Sequence, residues 1–398
     1  MTVDGPRSTA PDVVDVVALG ESMVTFLPSV PGRLADVPSF ERAIGGAESN
    51  VACALAAAGH SVRWAGRVGA DGFGDHLVEA IGAYGVDVSA VRRDPARPTG
   101  VYFRTAGDRA TDAHEVAYYR AGSAASAMSV DTMDLDAVRS GRVLHLSGIT
   151  PALSAGCLGL TRELTARRPG LTRELTARRP GRPLVSFDVN HRPGLWRDAG
   201  DGRGPEVLLE LARGADLVFV GDDEARDAWG LEGPEAVRAA LPEPAVLVVK
   251  QGATGATAFH GDQVTSVPAL HVDVVAAVGA GDAFAAGFLS ATLRERPVRE
   301  RLRHGHLWAA AALTVPGDLA VPPPARHPAT APHGASPRAE SLGGPPPRRP
   351  SWIEHADRLA ALDDTAWGRL RLGPGWTQDG EKPGDRAGEG ADEEGRTP

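Results

Sequence analysis

The chain has 398 residues, 42% hydrophobic and 23% charged, with a formal net charge of −9. That length allows two or three folded units, or one large domain with appendages, and its apolar content excludes wholesale disorder. An acidic balance without basic blocks argues against nucleic acid or an anionic membrane as a partner. The first residues, MTVDGPRSTAPD, carry no apolar signal region, and the run Leu307–Val315 is about half a bilayer span, so a soluble cytoplasmic protein is expected. Two cysteines, Cys53 and Cys157, are too few for a disulfide framework and suit a reducing compartment.

Taken in chain order, strand-length apolar runs alternate with helix-like stretches to about residue 315. The runs are Val13–Leu19, Val62–Ala65, Val143–Leu146, Leu184–Phe187, Leu217–Val220 and Val246–Val249. Continuous Val/Leu runs predict strands covered on both faces. Helical stretches such as Glu48–Ala58 and Ala280–Arg294 separate them. The expected fold class is therefore α/β, a doubly wound, mostly parallel sheet between helix layers. Two segments differ in texture: Thr99–Arg104 (TGVYFR) and Glu115–Arg120 (EVAYYR). Their aromatic and β-branched residues flank a polar connection and predict antiparallel strands of a small β lid, with segments at about 23–42 and 98–122.

The sequence GLTRELTARRP occurs twice in succession, at 159–169 and 170–180. It falls at the far end of a crossover helix, away from the strand ends where ligands collect, so the duplication is expected to be silent. Past residue 315 the composition changes. Residues 316–398 hold 14 of the 32 prolines, so 321–350 reads as a Pro-rich linker or insertion after a main domain at 13–320. A short helical segment is expected at 351–376, helical across Trp352–Leu372, followed by a disordered acidic tail at 377–398.

Glycines and polar groups cluster just after the apolar runs: Gly20 and Glu21, Ser147 and Gly148, Asp188, Asn190 and Arg192, Gly221–Glu224, then Lys250 and Gly252. One sheet edge thus gathers groups suited to a phosphate-bearing ligand. The sharpest segment is VGAGDAFAAGF at 278–288. Gly279 and Gly281 let backbone N–H groups approach an anion at a helix start, and Asp282 falls in the first turn beside it. A second glycine pair, in AIGGAESNVACALAAA at 43–58, opens a helix with Glu48 and Asn50 at its start. Cys53, in the packed part of that helix, reads as core.

GGAESN and GAGDAFAAGF, with GRVGADGFGD at 66–75, FDVNHRPGLW at 187–196 and KQGATGA at 250–256, make the chain similar to the ribokinase-like (PfkB-type) carbohydrate kinases. The resemblance spans about residues 13–320 in the family's order. Within the family, GESM at 20–23, YYRAGSAAS at 118–126, FDVNHRPGLW and FVGDDEA at 219–225 look most like 2-keto-3-deoxygluconate kinases, with fructokinase-like enzymes next. The resemblance implies ATP and Mg2+ as cofactors and a sugar or sugar acid as partner. Asp282 would be the base, and Gly279, Ala280 and Gly281 the anion hole. Gly45, Gly46, Asn50, Tyr102, Arg104, Arg120 and Arg192 would face the sugar. Asn190, Lys250, Gly252 and Gly255 would lie along ATP, with Glu224 reaching the metal through water.

Arg104 and Arg120 could grip the carboxylate of a sugar acid bidentately, which favours 2-keto-3-deoxygluconate over a neutral sugar. A fructokinase- or ribokinase-type enzyme is the alternative, as is a sugar-binding regulatory homologue with impaired catalysis. Ala276 and Ala277 stand where the family usually has Asp-Thr, which argues against K+ activation. Gly221 replaces a common Asn. Lid strands in this family often pair between subunits, which makes a homo-oligomer an expectation.

Overall fold

A computed structural model describes residues 13–30, 32–105, 115–166, 182–198, 203–320 and 351–377. From the start the order is β1 (Val14–Leu19), β2 (Met23–Pro28), β3 (Phe40–Gly45), α1 (Ala47–Ala57), β4 (Val62–Gly69), α2 (Gly72–Ala83), β5 (Val91–Asp94), β6 (Val101–Arg104) and β7 (Val116–Tyr119). There follow α3 (Leu135–Arg139), β8 (Gly141–Ser147), α4 (Ala155–Thr165), β9 (Leu184–Asp188), α5 (Pro193–Asp198), α6 (Gly204–Gly214), β10 (Leu217–Gly221), α7 (Asp222–Trp229), α8 (Pro234–Ala240) and β11 (Val246–Lys250). The last part holds β12 (Gly255–His260), β13 (Gln263–Pro268), β14 (His271–Val272), α9 (Ala280–Leu293), α10 (Val298–Leu313), α11 (Ser351–Ala360), α12 (Asp364–Arg369) and β15 (Arg371–Leu372).

Nine strands form the main sheet in the order β13-β12-β11-β10-β9-β8-β1-β4-β5. Pairing is parallel from β5 through β11 and antiparallel for β12 and β13. The apolar runs explain this directly. Along β1, Val16 and Ala18 face one core cluster and Val17 and Leu19 the other, and all four are fully buried. The first cluster lies under α1, α9 and α10, and the second under α4 and α6. A strand covered on both faces has no solvent side to mark with polar residues.

The second sheet, β3-β2-β6-β7, is the lid. Its β2 and β6 pair in parallel, and the outer pairs are antiparallel. Strand β3 extends to Gly45, beyond the expected limit near residue 42, and passes through Gly46 straight into α1. The lid and the helix carrying Asn50 are therefore one continuous piece of chain.

The helical stretch expected across Trp352–Leu372 is divided. Helix α11 ends at Ala360, and Asp363 then caps α12 by accepting a hydrogen bond from the Ala366 N–H at 2.8 Å. Trp352, Ile353, Trp367 and Leu372 belong to the same buried cluster as Phe284 and Trp308. Residues 159–166 of the duplication fall in and just after α4; the remainder through 180, the Pro-rich stretch 321–350 and the tail from 378 lie outside the described residues. No described helix is long and apolar enough to cross a membrane. Cys53 and Cys157 are buried free thiols.

Candidate active site

Gly279 caps α9 with φ +72°, and a Cβ there would collide with the carbonyl oxygen of Asp318. Both conformation and space therefore require glycine. Asp282 follows in the first turn, where its carboxylate accepts a hydrogen bond from Asn50 Nδ2 at 2.8 Å. Burial pushes its pKa up to about 7; the Asn50 bond and Lys250 pull it down, while Asp188 and Asp318 push it further up. A carboxylate poised near neutrality beside unpaired helix N–H groups suits a general base next to an anion.

On one side of Asp282 lies a polar cluster built from the lid and α1. Tyr102 donates to Asp318 Oδ2 at 3.2 Å, and Arg104 Nη2 donates to Asp318 Oδ1 at 2.8 Å. Burial raises the Asp318 pKa, and Arg104, Tyr102 and Asn50 oppose the rise. The Arg104 and Asp318 side chains are only 3% and 6% exposed, so this ion pair is shielded from solvent screening. Gly45 keeps the floor open, since a Cβ there would strike the Tyr102 hydroxyl and Asp318. Gly46 packs in the same way against Glu21 and Ser49. Arg120 is paired with Glu21, which also accepts from Ser123 Oγ at 2.7 Å. Each of the two lid arginines thus already has a carboxylate partner. Asn50 Oδ1, Arg104 Nε and Arg120 Nε stay buried without a hydrogen-bond partner, as groups awaiting a polar ligand would.

On the other side stands Lys250 at the end of β11. Its Nζ donates to both oxygens of Asp188, at 3.1 and 3.0 Å, and a Cβ on Gly281 would lie 3.5 Å from it. Burial pulls the Lys250 pKa down, but Asp188, Glu224 and Asp282 outweigh it and hold the ammonium charged. Glu224 accepts the Gly221 N–H at 2.8 Å and lies 3.6 Å from Arg192. Burial raises the Glu224 pKa, Lys250 opposes the rise and Asp188 adds to it. Asn190 takes a left-handed φ of +41°, and its buried Oδ1 has no partner. Gly252, with φ +56°, forms the turn after β11. Gly255 closes that hairpin, where a Cβ would strike the Val267 carbonyl, so its glycine has a structural duty. Among the described residues no group of three or more His, Cys, Asp or Glu is arranged around a common metal position.

Three participants had no role assigned to them from the sequence. Asp188 ends β9, within the polar cluster noted after that apolar run. Asp318 follows α10 in a short Gly-Asp pair, the one local sign of a turn there that places a carboxylate. Glu48 is fully buried at the start of α1, where Oε1 accepts from Ser147 Oγ at 2.8 Å and Thr150 Oγ1 at 3.0 Å, fastening α1 to the end of β8. Burial raises its pKa to about 7, against the opposing pull of those bonds.

The pfkB family carbohydrate kinase model matches residues 14–325. The chain is 33% identical over 310 residues to a 2-dehydro-3-deoxygluconokinase of Bacillus subtilis (strain 168), covering 77% of this chain and 91% of that protein. It is 34% identical over 321 residues to a protein of the same name from Thermoproteus tenax, covering 80% and 94%. A probable fructokinase-6, chloroplastic, of Arabidopsis thaliana is 31% identical over 332 residues, covering 81% and 82%. Among solved structures, a PfkB protein from Polaromonas sp. JS666 superposes with a TM-score of 0.65 at 36% identity, covering 75% and 95%. An α/β sheet with a lid over a buried acid is thus that of a phosphotransferase with an alcohol acceptor. The chain belongs to the pfkB family of carbohydrate kinases.

Proposed function

We propose that the protein transfers the terminal phosphoryl group of ATP to a sugar acid, 2-keto-3-deoxygluconate, giving the 6-phosphate. The observation that carries this reading is the position of Asp282, bonded to Asn50 on the sugar side and electrostatically coupled to Lys250 on the phosphate side. Asp282 takes the proton from the acceptor hydroxyl, and Asn50 orients the carboxylate that receives it. The N–H groups at Gly279, Ala280 and Gly281 face the charge that develops on the transferring phosphoryl group, and Lys250 adds a full positive charge beside Gly281. The lid presents Tyr102 and Arg104 from β6, and Arg120 from just past β7, towards the sugar, while Asp318 adds an acceptor for hydroxyl groups.

Asn190, Lys250 and Gly252 follow the ends of β9 and β11, where a nucleotide's phosphates would lie against the sheet edge. Asp188 and Glu224 offer hard carboxylate oxygens next to Lys250, a donor set that fits Mg2+ keeping several waters, with Glu224 acting through one of them. When bound, Mg2+ would neutralise charge on the phosphates.

A specific observation favours a second reading, a neutral sugar such as fructose. Arg104 and Arg120 already balance Asp318 and Glu21, so neither needs a substrate carboxylate for neutrality. ADP release with ATP and Mg2+, measured across 2-keto-3-deoxygluconate, fructose and ribose, separates the two. The sugar-acid reading requires the highest kcat/KM for 2-keto-3-deoxygluconate; a higher value for fructose or ribose overturns it.

A further inference from the structure

The family match ends at residue 325, yet the block formed by α11, α12 and β15 reaches back to the chain that feeds the anion hole. We propose that this block braces the phosphate-binding loop, with Trp367 and Leu372 as positioning residues for phosphoryl transfer. The proposal rests on the reading of Gly279–Asp282 as the transfer site.

The loop from Ala269 to Gly279 connects β13 to α9. The C-terminal block holds its approach at successive points. Trp367 Nε1 donates to the Pro268 carbonyl at 3.0 Å. Strand β15 then pairs in parallel with β14, His271 opposite Arg371 and Val272 opposite Leu372. The Asp273 N–H donates to the Leu372 carbonyl at 2.9 Å. Beyond that point the N–H groups of Val275 and Ala276 both donate to the Leu313 carbonyl at the end of α10, at 2.7 and 3.3 Å. The side chains from Val274 to Val278 are Val, Val, Ala, Ala and Val, which cannot make hydrogen bonds. Order in this loop therefore depends on backbone ties: Ala269 N–H donates to the Thr254 carbonyl at 3.3 Å, and the block supplies those at residues 271–273.

The brace is itself anchored to the helices that follow the loop. Arg303 of α10 donates to the carbonyls of Ala360 (2.9 Å) and Leu362 and to Asp364 (2.7 Å). Its guanidinium lies 4.8 Å from the centre of the Trp367 ring. Arg294, just past α9, pairs with Asp357 of α11 at 2.6 Å. The far end of α9 and the loop entering it are thus held by one block, and Asp282 lies between those two attachments. Such an arrangement fixes the helix start without any side chain of the block touching a substrate.

The test compares wild type with Leu372→Ala, which thins β15, and Trp367→Phe, which removes the Nε1 donor and keeps an aromatic ring. Hydrogen exchange of residues 274–282 and 47–57 is read alongside kcat and the Kd of the sugar. The brace requires about tenfold faster exchange at 274–282 in Leu372→Ala, with 47–57 unchanged. It also requires kcat to fall about ten- to hundredfold while the sugar Kd holds, with a smaller change of the same kind in Trp367→Phe. Unchanged exchange, or unchanged kcat in both variants even where the melting temperature drops, overturns the proposal. A wild type that makes no ADP from any sugar would instead overturn the kinase reading, and the exchange measurement would still decide whether the brace exists.

Discussion

Asn50 and Asp282, 232 residues apart, meet through a 2.8 Å hydrogen bond that joins the lid-linked helix α1 to the first turn of α9. The bond favours the charged carboxylate, whose pKa stands at about 7 because burial opposes ionisation. A base acts only when ionised, so kcat/KM should rise with pH through a midpoint near 7. Replacing Asn50 with Ala removes a stabiliser of the anion and should move that midpoint to higher pH by about one unit. A pH–rate profile of Asn50→Ala in buffers of constant ionic strength checks this.

The same carboxylate makes stability depend on pH. Its folded pKa, about 7, lies above the ordinary value of 3.8, so between those values the folded state binds more protons than the unfolded one. Stability is therefore fully favoured below the unfolded value and lost as pH rises towards 7. Asp282→Asn cannot ionise and should be more stable than wild type at pH 8 by about 1–3 kcal/mol, with little difference at pH 4. Denaturant titrations at the two pH values measure it.

Lys250 is held charged by Asp188 and Glu224 beside Gly281. Lys250→Met removes the fixed charge and should lower kcat about 10²–10³-fold. Calorimetric binding of the sugar in the absence of nucleotide should be unchanged.

Asp318 separates the roles of the lid polar groups. Asp318→Asn keeps the shape but removes the partner charge of Arg104, and should raise the sugar KM by about tenfold while leaving the KM for ATP within twofold. Arg104→Ala is the harsher change. It leaves a buried carboxylate unpaired and should cost about 3–5 kcal/mol of stability, read from denaturant unfolding.

The main sheet was legible because burial on both faces writes itself as unbroken Val and Leu, as along β1, β10 and β11. Gly279 and Asp282 were legible because a tight turn into a helix restricts residue type locally. The partners of the lid arginines were not. Arg104 meets Asp318 across 214 residues, and Arg120 meets Glu21 across 99, so no local pattern carries either pairing. The helix break between Ala360 and Asp364 turned on a single capping aspartate, Asp363, inside an otherwise helix-like run. Strands β14 and β15 are two residues each, too short to show alternation at all.

The most direct measurement is ADP formation by wild type and Asp282→Asn at pH 8 with ATP, Mg2+ and 2-keto-3-deoxygluconate, alongside sugar binding by calorimetry. The account requires saturable turnover in wild type, a loss of at least about 100-fold in the variant, and an equal sugar Kd in both. A variant that turns over at the wild-type rate would contradict it.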